Sequence, residues 1–160
     1  MDGVKVVRPG EGGCVWMTGN QYTFQAVAED TGGSYTLFEG VIPPGAGPPP
    51  HAHSREIEGI YVLEGELTFY VEDKSLKLGP GCFINLPKGV VHSFKNQGTA
   101  RARMLDLIVP SGMENFIRET GHAVADCSAR PFPVTREDIE RVIAVAPKYG
   151  IEIVVRDSGS

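Results

Sequence analysis

Twenty glycines and twelve prolines cut this chain of 160 residues into short apolar or alternating runs, a punctuation that leaves little room for long helices. Short strands joined by tight turns need Gly and Pro at such intervals, so the middle of the chain is expected to be β-rich. The runs predict strands at Val4–Val7, Tyr22–Ala26, Ser34–Ile42, Gly59–Leu63, Glu66–Glu72, Ser75–Leu78, Cys82–Leu86, Val91–Lys95 and Ala102–Val109. No βαβ alternation separates them, and an antiparallel sandwich or closed barrel is the economical way to remove exposed strand edges. Pro43–Pro50, PPGAGPPP, has too few N–H groups for a central strand and reads as a stiff segment that delivers the chain to His51.

After Pro110 the pattern changes. Gly112–Gly121 predicts one short helix, and Thr135–Lys148 an amphipathic one with Ile139, Val142, Ile143 and Val145 on its apolar face. Thr135 is the expected N-cap, Asp138 approximates a capping box, Glu137 suits the positive helix end, and Gly150 stands where a left-handed residue ends a helix. This helix is expected to pack on the outside of the barrel. The terminal Asp157–Ser160 is expected to fray.

The length suits a single domain over 1–160, with a barrel at about 34–110 and a helical segment at 111–152. The net charge is −5 and the basic residues do not cluster, which disfavours nucleic acid and anionic membranes as partners. No run reaches the roughly 18 apolar residues of a membrane helix, and the amino terminus lacks a signal-like apolar core. Cys14, Cys82 and Cys127 are odd in number and far apart in sequence, as reduced thiols would be, so a cytoplasmic location is expected.

The chemistry lies in four residues. His51 and His53 stand two apart, so on a strand both imidazoles point to one face while Ala52 points away. Glu58 joins that face if Ser54-Arg55 make a turn, and Pro87 and Gly89 predict a tight turn before a strand that carries His92. Three imidazoles and one carboxylate suit a divalent transition ion, Fe, Ni, Mn, Co, Cu or Zn, with an overall charge of about +1 and open positions for small ligands. Burying three imidazoles without such a partner would be costly. His122 lies outside this spacing and is expected to be structural. Glu56 could orient a ligand imidazole, although a solvated turn carboxylate is the simpler expectation. Tyr35, Phe38, Tyr61, Phe69, Phe83 and Phe94 could line a pocket but more simply fill the core. On the strand Ala102–Val109, Met104 and Asp106 share a face, and Asp106 is expected outward or paired because an unpartnered buried carboxylate is expensive.

With these residues in place, the chain resembles the cupin superfamily. Its first motif matches as Gly45, five residues, His51-Ala52-His53, four residues, Glu58, six residues, Gly65; its second as Gly81, five residues, Pro87-Lys88-Gly89, two residues, His92, three residues, Asn96. The phrases around them, Gly47-Pro48-Pro49-Pro50-His51, Gly59-Ile60-Tyr61-Val62-Leu63-Glu64-Gly65-Glu66 and Leu86-Pro87-Lys88-Gly89-Val90-Val91-His92-Ser93-Phe94, are similar to bacterial quercetin 2,3-dioxygenase-like single-domain cupins, as is the tail Tyr149-Gly150-Ile151-Glu152. Cys82 departs from the aspartate usual after the motif glycine, on a turn that carries no ligand. The resemblance implies an all-β cupin double-stranded β-helix (jelly-roll barrel), a metal held by His51, His53, Glu58 and His92, and a homodimer. It further implies that Glu58 is both ligand and catalytic base toward a small phenolic, enolic or diketone-like substrate. A non-catalytic small-molecule-binding cupin and an oxygen-independent isomerase or lyase would use the same ligands.

Overall fold

Alternation along the strands decides what lies inside this protein. In the computed structural model, which describes residues 3–155, the pattern is clearest at β3 (Thr36–Ile42) and β10 (Ala102–Val109), where buried and more open residues alternate along the whole strand. The inward set includes Phe38, Ile42, Ile60, Val62, Leu67, Phe69, Met104 and Ile108, all almost fully buried. Each such side chain contributes roughly 1.5–3 kcal/mol on leaving water, which is what closes two sheets over one core.

The larger sheet has seven strands in the order β11-β1-β2-β3-β10-β5-β8 and the smaller five in the order β12-β4-β9-β6-β7. Their remaining members are β1 (Cys14–Met17), β2 (Asn20–Ala26), β4 (His51–His53), β5 (Ile57–Glu64), β6 (Leu67–Val71), β7 (Lys74–Leu78), β8 (Phe83–Leu86), β9 (His92–Lys95), β11 (His122–Val124) and β12 (Ile151–Ile153). All pairings are antiparallel, and the fold is the expected double-stranded β-helix. Among the described residues no helix is long and apolar enough to cross a membrane.

Several expectations need correction. Val4–Val7 is not a strand: Val4 and Val6 are exposed, and with no neighbour to accept its ladder the segment stays irregular. Conversely β11 and β12 form because distant strands pair with them, and β1 because it pairs with both neighbouring β2 and distant β11. The three cysteines are free as expected, but sequence distance misleads about space. The Thr23 hydroxyl lies 3.7 Å from the Cys14 Sγ and 3.9 Å from that of Cys127, and burial followed by the Cys127 contact pushes the Cys14 thiol up to about 12. The expected tail Asp157–Ser160 lies outside the described residues.

Both carboxy-terminal helices form where expected. α1 (Ala28–Thr31) is a single turn, whereas α2 (Met113–Thr120) sits between Gly112 and Gly121, and α3 (Arg136–Val145) runs into a 3-10 turn that ends at the left-handed Gly150. They do more than lie on the outside of the barrel. Phe116, Ile117, Val142 and Ala146 belong to the main core, and the helices cover one mouth of the barrel.

The Thr135 cap anchors this cover. Its hydroxyl accepts from the Asp138 N–H at 3.2 Å, and Asp138 Oδ2 accepts from the Thr135 N–H at 2.9 Å. His122 reaches the other Asp138 oxygen at 2.8 Å, which ties β11 to α3. Hydrogen bonds from the Thr135 N–H, then its hydroxyl, then His122, lower the Asp138 carboxyl from its ordinary 3.8 to about 2. A depressed carboxyl stabilises the fold above its unfolded value and loses that effect as pH falls. Chemical denaturation is expected to show a steeper loss of stability from about pH 4 to 2 in the wild-type chain than in Asp138→Asn. Thr135→Ala is expected to lower the unfolding free energy by about 1 kcal/mol at neutral pH, as read by the same denaturation midpoints.

Candidate metal centre

The antiparallel pairing of β4 with β9 places His51 opposite His92. On β4 the two-residue period brings His53 to the same face, and β12 seals the outer edge by pairing Ile151 with His53 and Ile153 with His51. Glu58 arrives from the other sheet as the second residue of β5, after the bend at Ser54-Arg55. Nearby turns depend on glycine. At Gly47 any side chain would overlap the Phe94 carbonyl, and at Gly65, with φ of +74°, one would collide with the Ala102 backbone. Asn96 fastens the lead-in segment: its side-chain amide donates to the carbonyls of Ile42 and Ala100, both at 2.8 Å, and its backbone exchanges hydrogen bonds with Gly45 and Ala46.

These placements converge. His51, His53, Glu58 and His92 are all buried and offer ligand atoms within 4.8 Å of one another. The imidazole centroids are 4.4 Å apart for His51 and His92, 5.0 Å for His51 and His53, and 5.6 Å for His53 and His92. Glu58 Oε2 lies 2.7 Å from His92 Nε2 and 3.4 Å from His53 Nε2.

The outer nitrogens show how the rings are aimed. His51 Nδ1 lies 2.8 Å from the Pro49 carbonyl and His92 Nδ1 2.9 Å from that of Val90. A carbonyl only accepts, so each Nδ1 carries the hydrogen and each Nε2 keeps its lone pair for the centre. His53 Nδ1 faces Glu56 Oε2 at 3.6 Å. Glu56 is therefore not the solvated turn residue expected; it is buried, and it stands behind a ligand-type imidazole as carboxylates behind metal-bound histidines do.

Electrostatics agree with the geometry. Burial, then the neighbouring His92, pushes His51 down to about 4, so its imidazole is neutral. Burial opposes a charge on His53, yet Glu56 and Glu58 outweigh it and raise the ring to about 9. Burial likewise opposes ionisation of Glu58, but His53 and His92 hold its carboxyl well below the usual range. Both ring nitrogens of buried His53 lack a hydrogen-bond partner, and a cation between the four donors would take up the inward one, Nε2. Three nitrogens and a carboxylate oxygen fit a first-row divalent ion, with its identity open.

Beyond the donors lies a cavity with interior free space of about 50 Å³, the room of a few waters. Phe38 and Phe94 line it from the sheets, while Met113, Phe116 and Ile117 of α2 and Val142 of α3 form the opposite wall. Tyr35, Tyr61 and Phe83, considered above for the pocket or core, are exposed instead, because their strand positions face outward. His122, engaged with Asp138, is not in the cluster.

Asp106 is the largest surprise. It faces inward between Met104 and Ile108, lines the cavity, and is only 2% exposed. Glu58 pairs across with Ile108 and Asp106 with Ile60, so the two carboxyls occupy diagonal positions of one inner face. Burial, then the Glu58 charge, raises the Asp106 carboxyl well above the usual carboxylate range. Strand parity alone could have found this residue, since Met104 and Ile108 share its face.

Comparison with known proteins agrees with the fold. Residues 38–108 match the cupin domain family. Quercetin 2,3-dioxygenase of Bacillus subtilis (strain 168) is 30% identical over 117 residues, covering 72% of this chain and 34% of that protein. The chain spans about a third of the length of the curated relatives it matches. Among solved structures, a predicted oxalate decarboxylase from Thermotoga maritima superposes with a TM-score of 0.61 at 24% identity, over 66% of this chain and 99% of that one. An RmlC-like cupin from Shewanella frigidimarina gives 0.59 at 19% identity, over 70% and 96%. Two facing antiparallel sheets, both motifs in register and a buried His-His-Glu-His cluster lead to one conclusion: the chain is a small cupin that resembles quercetin 2,3-dioxygenase.

Proposed function

We propose that this chain is a metal-dependent, dioxygenase-like cupin that acts on a small phenolic or enolic substrate, with the ion held by His51, His53, Glu58 and His92. The observation that carries this reading is the convergence of three imidazoles and one carboxylate at the inner end of an apolar cavity. A divalent transition ion bound there would supply Lewis acidity toward a substrate hydroxyl and an electron route to dioxygen. Everything else falls to the protein. The Pro49 and Val90 carbonyls and Glu56 fix the imidazoles, Phe38, Phe94 and Phe116 exclude water, and Glu58 Oε2 accepts the substrate's hydroxyl proton.

The relative's name points to a flavonol, but the cavity points to something smaller. A flavonol, two fused rings with a third attached, is large for a cavity walled on one side by Phe116, Ile117 and Val142 of α2 and α3. Compact enols and 1,3-diketones suit it better. A second reading, oxygen-independent isomerase or lyase chemistry, is favoured by one feature: Asp106 gives the site another carboxyl beside Glu58, as two-group proton transfer requires. The remaining alternative, a non-catalytic binding cupin, would return its ligand unchanged.

Oxygen uptake by the metal-loaded chain, measured across flavonols and compact 1,3-diketones, separates these readings. Uptake with the compact members is expected; turnover that persists under argon, or none at all, would contradict the dioxygenase reading. Glu58→Ala is expected to lower uptake by about a hundredfold or more while three imidazoles still retain metal, as elemental analysis would show. Glu56→Ala is expected to weaken metal binding roughly ten- to a hundredfold, read by competition with a chromophoric chelator, because His53 loses the carboxylate that orients it.

A further inference from the structure

The cavity has two unlike walls. One is apolar and helical, from Phe116 and Ile117 of α2 and Val142 of α3; the other belongs to the seven-stranded sheet and presents Asp106 close to Glu58. Asp106 is 2% exposed and lines the cavity, and its Oδ1 has no hydrogen-bond partner. Among the described residues no Lys or Arg lines the cavity to compensate it. Leaving a buried carboxyl oxygen unpaired costs roughly 1–3 kcal/mol or more, so a core position has been given to a group that destabilises the fold. Such expenses cluster where a ligand relieves them.

We propose that Asp106 is the specificity-determining contact for the bound substrate, receiving a hydroxyl group that lies a few bonds beyond the atoms held at the metal. This rests on the metal-centre reading above and deepens it. Two opposed requirements define the substrate class: an oxygen pair that reaches the metal beside Glu58, and a hydroxyl on the same edge that reaches Asp106. The apolar helical wall limits what lies between. The fitting ligand is a compact enol or α-hydroxycarbonyl compound with one additional hydroxyl, and a bulky aromatic body is disfavoured. Asp106 needs no role in holding the ion. Its place on β10, opposite Ile60 and diagonal to Glu58, puts it beside the donor set on the cavity side.

A binding experiment tests this without turnover. The cobalt(II)-loaded chain is titrated under nitrogen with acetohydroxamate, with glycolohydroxamate, which differs by one added hydroxyl, and with benzohydroxamate, while the visible cobalt bands are followed. Wild type is expected to bind glycolohydroxamate about tenfold more tightly than acetohydroxamate and benzohydroxamate most weakly. In Asp106→Ala the preference for the hydroxyl is expected to fall to about unity with cobalt content unchanged. Asp106→Val, which fills the space left by alanine, should lose the preference too and melt at or above the wild-type temperature, because a buried carboxyl has been removed. A residue that merely supports the barrel would give the opposite melting shift. Equal binding of the two small hydroxamates by wild type, or an undiminished preference in either variant, overturns the proposal while leaving the metal centre standing. Failure to retain cobalt overturns the metal-centre reading and this inference with it. Absence of oxygen uptake alongside an intact hydroxyl preference would overturn only the dioxygenase reading.

Discussion

One antiparallel bridge, His51 opposite His92, carries most of the architecture's chemical consequence. Three imidazoles and a carboxylate are brought out of water with ligand atoms within 4.8 Å of one another, where each loses hydration it cannot recover from apolar neighbours. The sheet makes this tolerable by handing two outer nitrogens to backbone carbonyls and setting Glu56 behind the third. The inner nitrogens then face one another, an arrangement that makes physical sense around a cation. The turns at Gly47 and Gly65 and the Asn96 clamp serve the same end, since a shift of one residue in β4 or β9 would turn its imidazoles away from the centre.

The His-His-Glu-His cluster was legible because its grammar is local. His51 and His53 need only a two-residue period, Glu58 only a turn at Ser54-Arg55, and His92 only the Pro87 and Gly89 turn before it. The Thr135 and Asp138 cap was legible for the same reason. What escaped depends on neighbours far away in the chain. Val4–Val7 has the alternation of a strand but nothing to pair with, whereas Ile151–Ile153 becomes a strand because β4 offers an edge. Glu56 and Asp106 were misplaced by a sound rule applied without its exception. Carboxylates avoid the interior unless something there compensates them, and here Glu56 faces the His53 ring while the cavity surrounds Asp106.

The carboxy-terminal helices belong both to the core and to the cavity wall. Phe116, Ile117 and Val142 bury apolar surface against the barrel and, with the same atoms, form the wall that a ligand must meet. The Thr135–Asp138–His122 network holds α3 against β11, so the cover is fastened at a point distant from the metal ligands. The barrel supplies the clustered donors, and this appended segment and the inward face of β10 line the cavity beside them.

X-ray absorption spectroscopy on the chain as purified from its native host tests the central claim most directly. The account predicts about one equivalent of a single first-row transition ion in a shell of nitrogen and oxygen donors with imidazole scattering. A chain without such an ion, or an ion in a shell without imidazole, would contradict it.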